Sequence, residues 1–347
     1  PATATTREHL DRCLTCRACE RACPSGVEYG RLIDLGRELV DERVPRPLRQ
    51  RMLRRGFVEV FSRRRLFAML LAMGQSVRGL LPAALRSRIP ARPSLPRERP
   101  VARQARRVVL LEGCVQPGLA PGINLAAARV CARLGIAVER INGEQCCGAL
   151  GHHLGHTARA LDQARRNVDA CCAALDAGAE AIVSSASACG LMVKDYGRLL
   201  AHDAAYAARA QRVSAATRDL AEIIEPGEIE RAGRGSGPRV AWQAPCTLQH
   251  GQRVTDRVER LLQAAGCTLE PTSEATLCCG SSGTYSILQP ELSGELRRRK
   301  LAALTVGRPE VIATANIGCL EHLRAASPIP VRHWIELVAE ALERELR

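Results

Sequence analysis

Sixteen cysteines in a chain of 347 residues are the obvious source of chemistry. Four stand in Cys13-Leu14-Thr15-Cys16-Arg17-Ala18-Cys19-Glu20-Arg21-Ala22-Cys23-Pro24, a C-x2-C-x2-C-x3-C-P run. Three thiolates on one tight loop can each reach a different iron of a cubane [4Fe–4S] cluster. The fourth Cys, followed by Pro, points away, and in two-cluster proteins it ligates the other cluster. Zinc sites usually pair their ligands as two separated C-x2-C steps, unlike three Cys in seven residues closed by C-P. The spacing therefore predicts Cys13, Cys16, Cys19 and Cys23 as ligands of iron–sulfur chemistry.

Eight more cysteines form a repeat. Cys114, Cys146-Cys147-Gly148 and Cys189 are echoed by Cys246, Cys278-Cys279-Gly280 and Cys319. Cys114 to Cys146 and Cys246 to Cys278 each span 32 positions, and the following intervals are 42 and 40. Adjacent cysteines cannot both aim easily at one tetrahedral ion, but they can bind neighbouring irons. The expectation is metal or cluster binding by all eight, with an additional iron–sulfur cluster and zinc both open. The glycine of each triplet is expected to let the backbone approach a bulky cofactor. Cys131, Cys171, Cys172 and Cys267 fall at non-matching offsets and read as buried thiols acting as small hydrophobes. His152, His153 and His156 follow the first triplet and read as a polar Gly-His loop beside the crevice. Their imidazoles could alternatively ligate metal or carry protons. His322 reads as a surface-helix residue, with metal ligation the alternative.

The elements that must position these groups follow from periodicity. Residues 1–45 form a small α-helical cluster module, with Leu32, Ile33, Leu35, Leu39 and Val40 at helical spacing. In 46–104, Met52, Phe57, Phe61, Leu66, Phe67 and Leu70 alternate with arginines as helices packing between module and body. A basic amphipathic surface touching anionic lipid is the sharper alternative. Pro90, Pro93, Pro96 and Pro100 then mark a linker. From 105 on, strand–helix alternation repeats: strands at Val108–Leu111, Ile136–Glu139 and Ala181–Val183, then at Arg239–Trp242, around Leu269 and at Val311–Ala313. Helices are expected over 122–134, 157–175, 254–264 and 292–304. The fold class is α/β: a pseudo-twofold pair of mostly parallel units, 105–230 and 231–347, behind the helical module. The repeated cysteines fall at or after strand C-terminal ends, where open α/β sheets build their sites.

Composition narrows the class. A 46% hydrophobic content suits a globular core. No secretory signal or membrane-length apolar run is visible, and so many thiols read as reduced ligands of a cytoplasmic protein. The net charge is +14, yet Lys194 and Lys300 are the only lysines among 50 basic residues, and aromatic residues make up 3%. That balance, with no recognised nucleic-acid motif, speaks against nucleic acid and for an acidic partner or lipid surface. No Gly-rich nucleotide loop, Walker motif or nucleophile elbow is present. The chain is expected to conduct electrons rather than to oxidise an organic substrate.

Both CCG halves resemble the cysteine-rich domains of heterodisulfide reductase subunits, lactate-utilisation proteins and anaerobic glycerol-3-phosphate dehydrogenase iron–sulfur subunits. The stretches His9–Arg17, Cys23–Val27, Gly113-Cys114-Val115-Gln116 and Pro330–Leu337 are most similar to the iron–sulfur subunits of glycolate oxidase (glycolate dehydrogenase). The resemblance implies a ferredoxin-type [4Fe–4S] module with one or two clusters ahead of two CCG domains. It also implies FAD-containing partner subunits that oxidise glycolate to glyoxylate, a quinone-type acceptor and a peripheral position on the inner face of the cell membrane. A lactate, glycerol-3-phosphate or heterodisulfide-reductase-like complex is the alternative, and a zinc-holding docking scaffold the non-enzymatic one. Such modules usually carry two C-x2-C-x2-C-x3-C-P motifs, and only the second is present here. Because the sequence opens on Pro1, the natural chain is expected to begin upstream. CCG halves often end C-x2-C, whereas these end Cys189-Gly190-Leu191-Met192 and Cys319-Leu320-Glu321-His322.

Overall fold

The computed structural model describes residues 2–82, 86, 89–90, 106–233 and 235–344. The Pro-rich linker lies outside them apart from Pro90. The body carries two four-stranded parallel sheets. The first joins β1 (Arg106–Leu111), β2 (Ile136–Arg140), β3 (Ala181–Ser184) and β4 (Thr217–Asp219) in the order β2-β1-β3-β4. The second joins β5 (Arg239–Gln243), β6 (Thr268–Glu270), β7 (Val311–Thr314) and β8 (Val331–His333) in the order β6-β5-β7-β8. Registers match as well: Val108 pairs with Val138 and Ala181, and Val240 pairs with Leu269 and Val311.

A parallel strand covered on both faces needs apolar side chains on both, because successive residues point to opposite sides. β1 obeys this closely. Val108 and Leu110 enter one core while Val109 and Leu111 enter another on the opposite face. The first core is shared by the two halves, running from Val108, Ile123 and Ile136 through Val240, Leu261 and Trp334. Its seam is the packing of helix Gly122–Arg133 on helix Trp334–Arg344. Ala126 and Ala127 keep the first of these narrow enough for close approach. The repeat is therefore one fused body.

Most expected elements are present within two residues of their expected ends. The helix expected from 254 begins at Arg257, and Cys267 precedes β6 instead of lying in it. The edge strands β4 and β8 were not anticipated. Thr217-Arg218-Asp219 and Val331-Arg332-His333 are three residues each and carry no apolar run; only pairing with β3 and β7 makes them strands.

Residues 4–76 are helical between loops: α1 (Ala4–Asp11), α2 (Ala18–Ala22), α3 (Tyr29–Arg43), α4 (Leu48–Phe61) and α5 (Arg64–Ser76). Arg54 does not join the solvent stripe of arginines. It is buried and pairs with Asp11 at 3.1 Å, beside Arg46, which bonds Asp11 at 2.5 Å and Asp41 at 2.8 Å. This network ties α4 to the first 45 residues. Glu59 with Arg159, and Arg64 with Glu112 at 2.7 Å, tie α4 and α5 to the body.

Candidate iron–sulfur centre

The N-terminal cysteines lie between α1 and α3, with Cys19 inside the short helix α2 and Cys23 just after it. Thr15 and Arg17 take left-handed backbone angles, φ 52° and 58°, which fold Cys13, Cys16 and Cys19 into one tight curve. The Arg37 guanidinium of α3 clamps that curve by donating to the Leu10 and Cys13 carbonyls at 2.8 and 2.7 Å. Thr15 N–H points at the Cys13 sulfur at 3.4 Å. Burial pushes the Cys16 thiol up, against the pull of an N–H from Ala18. Cys23 stands in a different environment. The N–H groups of Val27, Ser25 and Gly26 and the Tyr29 hydroxyl surround its sulfur, and the Val27 bond leads in drawing its pKa down. Thiolate sulfurs with backbone donors aimed at them are what cluster ligation requires.

The eight repeated cysteines converge in two sets. In each sheet the chain leaves the first strand for one neighbour and later returns to the other side. The C-terminal ends of β1 and β3, or of β5 and β7, thus flank a topological switch point. Cys114 and Cys246 follow β1 and β5, and Cys189 and Cys319 lie in the short helices after β3 and β7. In the first set the thiols form a chain of neighbours, Cys114–Cys146–Cys147–Cys189. In the second the chain is Cys246–Cys278–Cys279–Cys319, with Cys279 and Cys319 sulfurs 3.1 Å apart. In both, the first Cys of the pair is the one held down. Cys146 accepts from Cys114 and Cys147, and Cys278 accepts from Cys246 and Cys279 and from Gly280 N–H at 3.4 Å. Their donors are correspondingly pushed up. All sixteen cysteines are free thiols. Among the described residues no three His, Cys, Asp or Glu side chains stand grouped as ligands of a single ion.

Several sequence expectations change here. The triplet glycines do not open space towards a cofactor. Gly148 and Gly280 hold φ of 90° and 86°, and a Cβ would lie 3.1 Å from the Ala160 carbonyl and 2.7 Å from that of Ser293. They let the cysteine pairs press against helices Thr157–Asp176 and Pro290–Leu304. His322 is half-buried instead of on the surface. Its Nε2 lies 3.2 Å from Ser293 Oγ, and burial lowers its pKa. The expected Gly-His loop is a short helix, Ala149–His153, that meets the N-terminal helices: His152 Nε2 is 3.1 Å from Asp34 of α3. Burial alone would raise that carboxyl; the His152 bond together with the charges of His152, His153 and Arg37 outweighs it and holds Asp34 below its ordinary range. Cys131, Cys171, Cys172 and Cys267 are buried core thiols outside the two chains of sulfurs.

The cysteine loop rests on both halves. Arg17 pairs with Asp195 of the first half at 2.5 Å. In the second half Ser282 donates to the Leu14 carbonyl at 2.9 Å, Tyr285 to the Arg12 carbonyl at 3.0 Å, and Gln249 accepts from Arg21 at 3.4 Å. Cys16 thereby comes within electrostatic reach of Cys278 and Cys246. Sequence reasoning missed Asn167, Tyr196, Ser282, Tyr285 and Lys300 around these sulfurs. Lys300 alone carried a signal, as one of two lysines in an arginine-rich chain.

The cysteine-rich domain family (CCG) matches residues 108–194 and 240–324, so each match encloses one sulfur chain. The glycolate oxidase iron–sulfur subunit of Escherichia coli K12 is 47% identical over 99% of this chain and 84% of its own length. The chain belongs to the family of glycolate oxidase iron–sulfur subunits. A probable glycolate oxidase iron–sulfur subunit of Bacillus subtilis 168 is 28% identical over 91% of this chain and 77% of its own. Lactate utilization protein A of Bacillus licheniformis is 26% identical over 67% of this chain and 98% of its own, a more distant likeness. As a member of that family, the chain is an iron–sulfur electron-transfer component of an oxidoreductase assembled from several subunits. Among its described residues no helix is long and apolar enough to cross a membrane.

Proposed function

We propose that this subunit carries electrons from an FAD-containing partner, which oxidises glycolate to glyoxylate, towards a quinone-type acceptor. Removing two electrons and two protons from glycolate is chemistry for the flavin. This chain's part is to hold the clusters, exclude water and fix their separation. Cys13, Cys16, Cys19 and Cys23 are the residues we assign to one or two [4Fe–4S] clusters. We assign Cys114, Cys146, Cys147, Cys189 and Cys246, Cys278, Cys279, Cys319 to further cluster chemistry. When bound, such clusters supply one-electron steps whose potentials follow burial and hydrogen bonds to sulfur. The supporting observation is the docking of the N-terminal loop on the second half through Ser282, Tyr285 and Gln249, with Cys16 within electrostatic reach of Cys278 and Cys246. Chains of neighbouring thiols also suit ligands of adjacent irons better than four ligands around one zinc.

The domain division at 45, 104 and 230 is part of the same proposal, supported by strand residues falling within 106–219 and 239–333. So is a peripheral position at the inner membrane face, supported by exposed Leu48, Met52, Met69 and Met73 among the arginines of α4 and α5.

Iron, zinc and acid-labile sulfide per chain, with low-temperature EPR on anaerobically purified protein, test the reading. Iron and sulfide near four each mean one cubane; eight or more put a cluster among the CCG cysteines. Zinc without sulfide means a docking scaffold and overturns the proposal. Cys13→Ser is expected to stop electron delivery while substrate still reduces the partner's flavin; normal turnover in that variant refutes the role. Reduction of the assembled complex by lactate or glycerol 3-phosphate in place of glycolate would reassign the substrate.

A further inference from the structure

The two sulfur chains match in sequence and differ in surroundings. Ala160 and Ser293 carry the carbonyls that the two triplet glycines face, so they occupy equivalent positions. Seven residues beyond each stand Asn167 and Lys300. Asn167 is neutral and spent on local bonds: it accepts from Gln145 N–H at 2.8 Å, donates to the Cys146 carbonyl at 3.1 Å and meets Tyr196 OH at 2.9 Å. Lys300 is wholly buried, and its Nζ donates to the Glu274 and Ala275 carbonyls at 3.1 and 3.0 Å. Among the described residues no carboxylate lies within ion-pair distance of it. The Glu274 carboxylate is bonded instead to Arg299 at 2.8 Å.

A buried ammonium without a carboxylate partner is expensive unless other negative charge compensates it. Burial pulls the Lys300 ammonium down from its ordinary range, and Cys279, Cys278 and Cys319 act against that pull. Among the described residues no buried lysine stands by the first chain. Arg159 is the cation acting on Cys146 there, and it is ion-paired with Glu59. The second chain is also the one against which the N-terminal cysteine loop is seated, through Ser282, Tyr285 and Gln249.

We propose that the second set, Cys246, Cys278, Cys279 and Cys319, takes the electron from the N-terminal cluster, and that Lys300 holds its potential above that of the first set. This rests on the reading that both sets carry iron–sulfur groups. The transfer is a single electron: the reduced cluster at the N-terminal loop is oxidised and the group at the second set is reduced, with no bond made or broken. A fixed positive charge in a low-dielectric surround stabilises the state that has gained negative charge. Lys300 is thus a positioning residue for charge, acting on the sulfurs and touching no substrate.

EPR-monitored redox titration of the whole cluster-loaded chain tests this, with Cys279→Ser and Cys147→Ser assigning signals to the second and first sets. Stepwise reduction of the unaltered chain is expected to bring up the second-set signal before the first-set signal. Lys300→Met should move the second-set midpoint negative by at least a tenfold change in the one-electron equilibrium, about 59 mV. The first-set midpoint should stay in place, and Lys300→Arg should restore the native second-set value. A second-set signal that emerges last, or an unmoved midpoint in Lys300→Met, overturns the proposal. The order of reduction decides the matter even if Lys300→Met does not fold. A chain whose signals survive Cys279→Ser unchanged has no redox group at the second set; that outcome sinks the underlying reading instead.

Discussion

At the scale of single residues, the triplet glycine and one buried acid make the sharpest predictions. Gly280 combines a left-handed φ of 86° with a Cβ position 2.7 Å from the Ser293 carbonyl, so strain and collision act together. Gly280→Ala is expected to cost about 1–3 kcal/mol and to displace Cys278 and Cys279. A thermal melt and an iron count would show both effects, and an unchanged melting temperature would contradict the geometry. Asp219 lies wholly buried at the start of helix Leu220–Ile223, where its Oδ1 accepts from Ala221 N–H at 3.0 Å. Its Oδ2 lies beside the Gln252 side chain, whose Oε1 has no donor. Burial pushes this carboxyl up to about 7. Because the folded value exceeds the unfolded one, the stabilising contribution is full below the ordinary aspartate range and is lost as pH rises to about 7. Asp219→Asn keeps the cap, supplies a donor and removes that slope. We expect it to raise stability at pH 8 by about 1–3 kcal/mol and to change little at pH 4, as denaturant melts at the two pH values would report.

Among elements, the placement of the cysteine loop depends on a few long-range bonds. The loop has little apolar cover of its own: Leu32, Leu35 and Leu39 of α3 face outward, and Cys19 is exposed. Docking rests on Arg17 with Asp195, on Asp34 with His152 and on the hydroxyls of Ser282 and Tyr285. Asp195→Ala removes a charge-assisted bond between half-buried partners, worth about 1–3 kcal/mol. Amide exchange in residues 13–23 is expected to accelerate while the sheets stay protected. Equal slowing or equal speeding everywhere would place the loop inside the global folding unit instead. The seam between the halves behaves oppositely. Trp334 is fully buried in the shared core, so Trp334→Ala should cost about 3–5 kcal/mol and melt both sheets in one transition.

Viewed whole, the molecule is charged and asymmetrically greasy. Leu48 and Met52 on α4 are 69% and 67% exposed and Met73 on α5 is 59% exposed, with Arg49, Arg51, Arg55 and Arg65 also exposed on these helices. Apolar side chains set among arginines suit an interfacial face against anionic lipid. Each arginine near such a surface contributes about 1 kcal/mol. Arg51→Gln with Arg55→Gln is therefore expected to weaken binding to phosphatidylserine vesicles roughly tenfold or more, with high salt doing the same. Vesicle binding indifferent to both changes would assign the face to a protein partner.

The sequence by itself determined the repeat and the spacing of the cysteines that the proposal rests on. Ligand spacing in Cys13–Cys23 is a property of the chain, and the equal 32-residue steps to the two triplets forced two equivalent units of strands and helices. Buried parallel strands such as Val108–Leu111 were legible because they demand an apolar residue at every position. Tertiary structure decided the rest, since contact across long separations leaves no local pattern. The edge strands β4 and β8 exist only through their neighbours. The triplet glycines answer to Ala160 and Ser293, residues a dozen positions away. The seating of Cys16 beside Cys278 joins residues at opposite ends of the chain. No local pattern announces the burial of Lys300 by the second sulfur chain where Asn167 stands by the first. Periodicity reports which face of an element is buried; only packing decides which charge is buried with it.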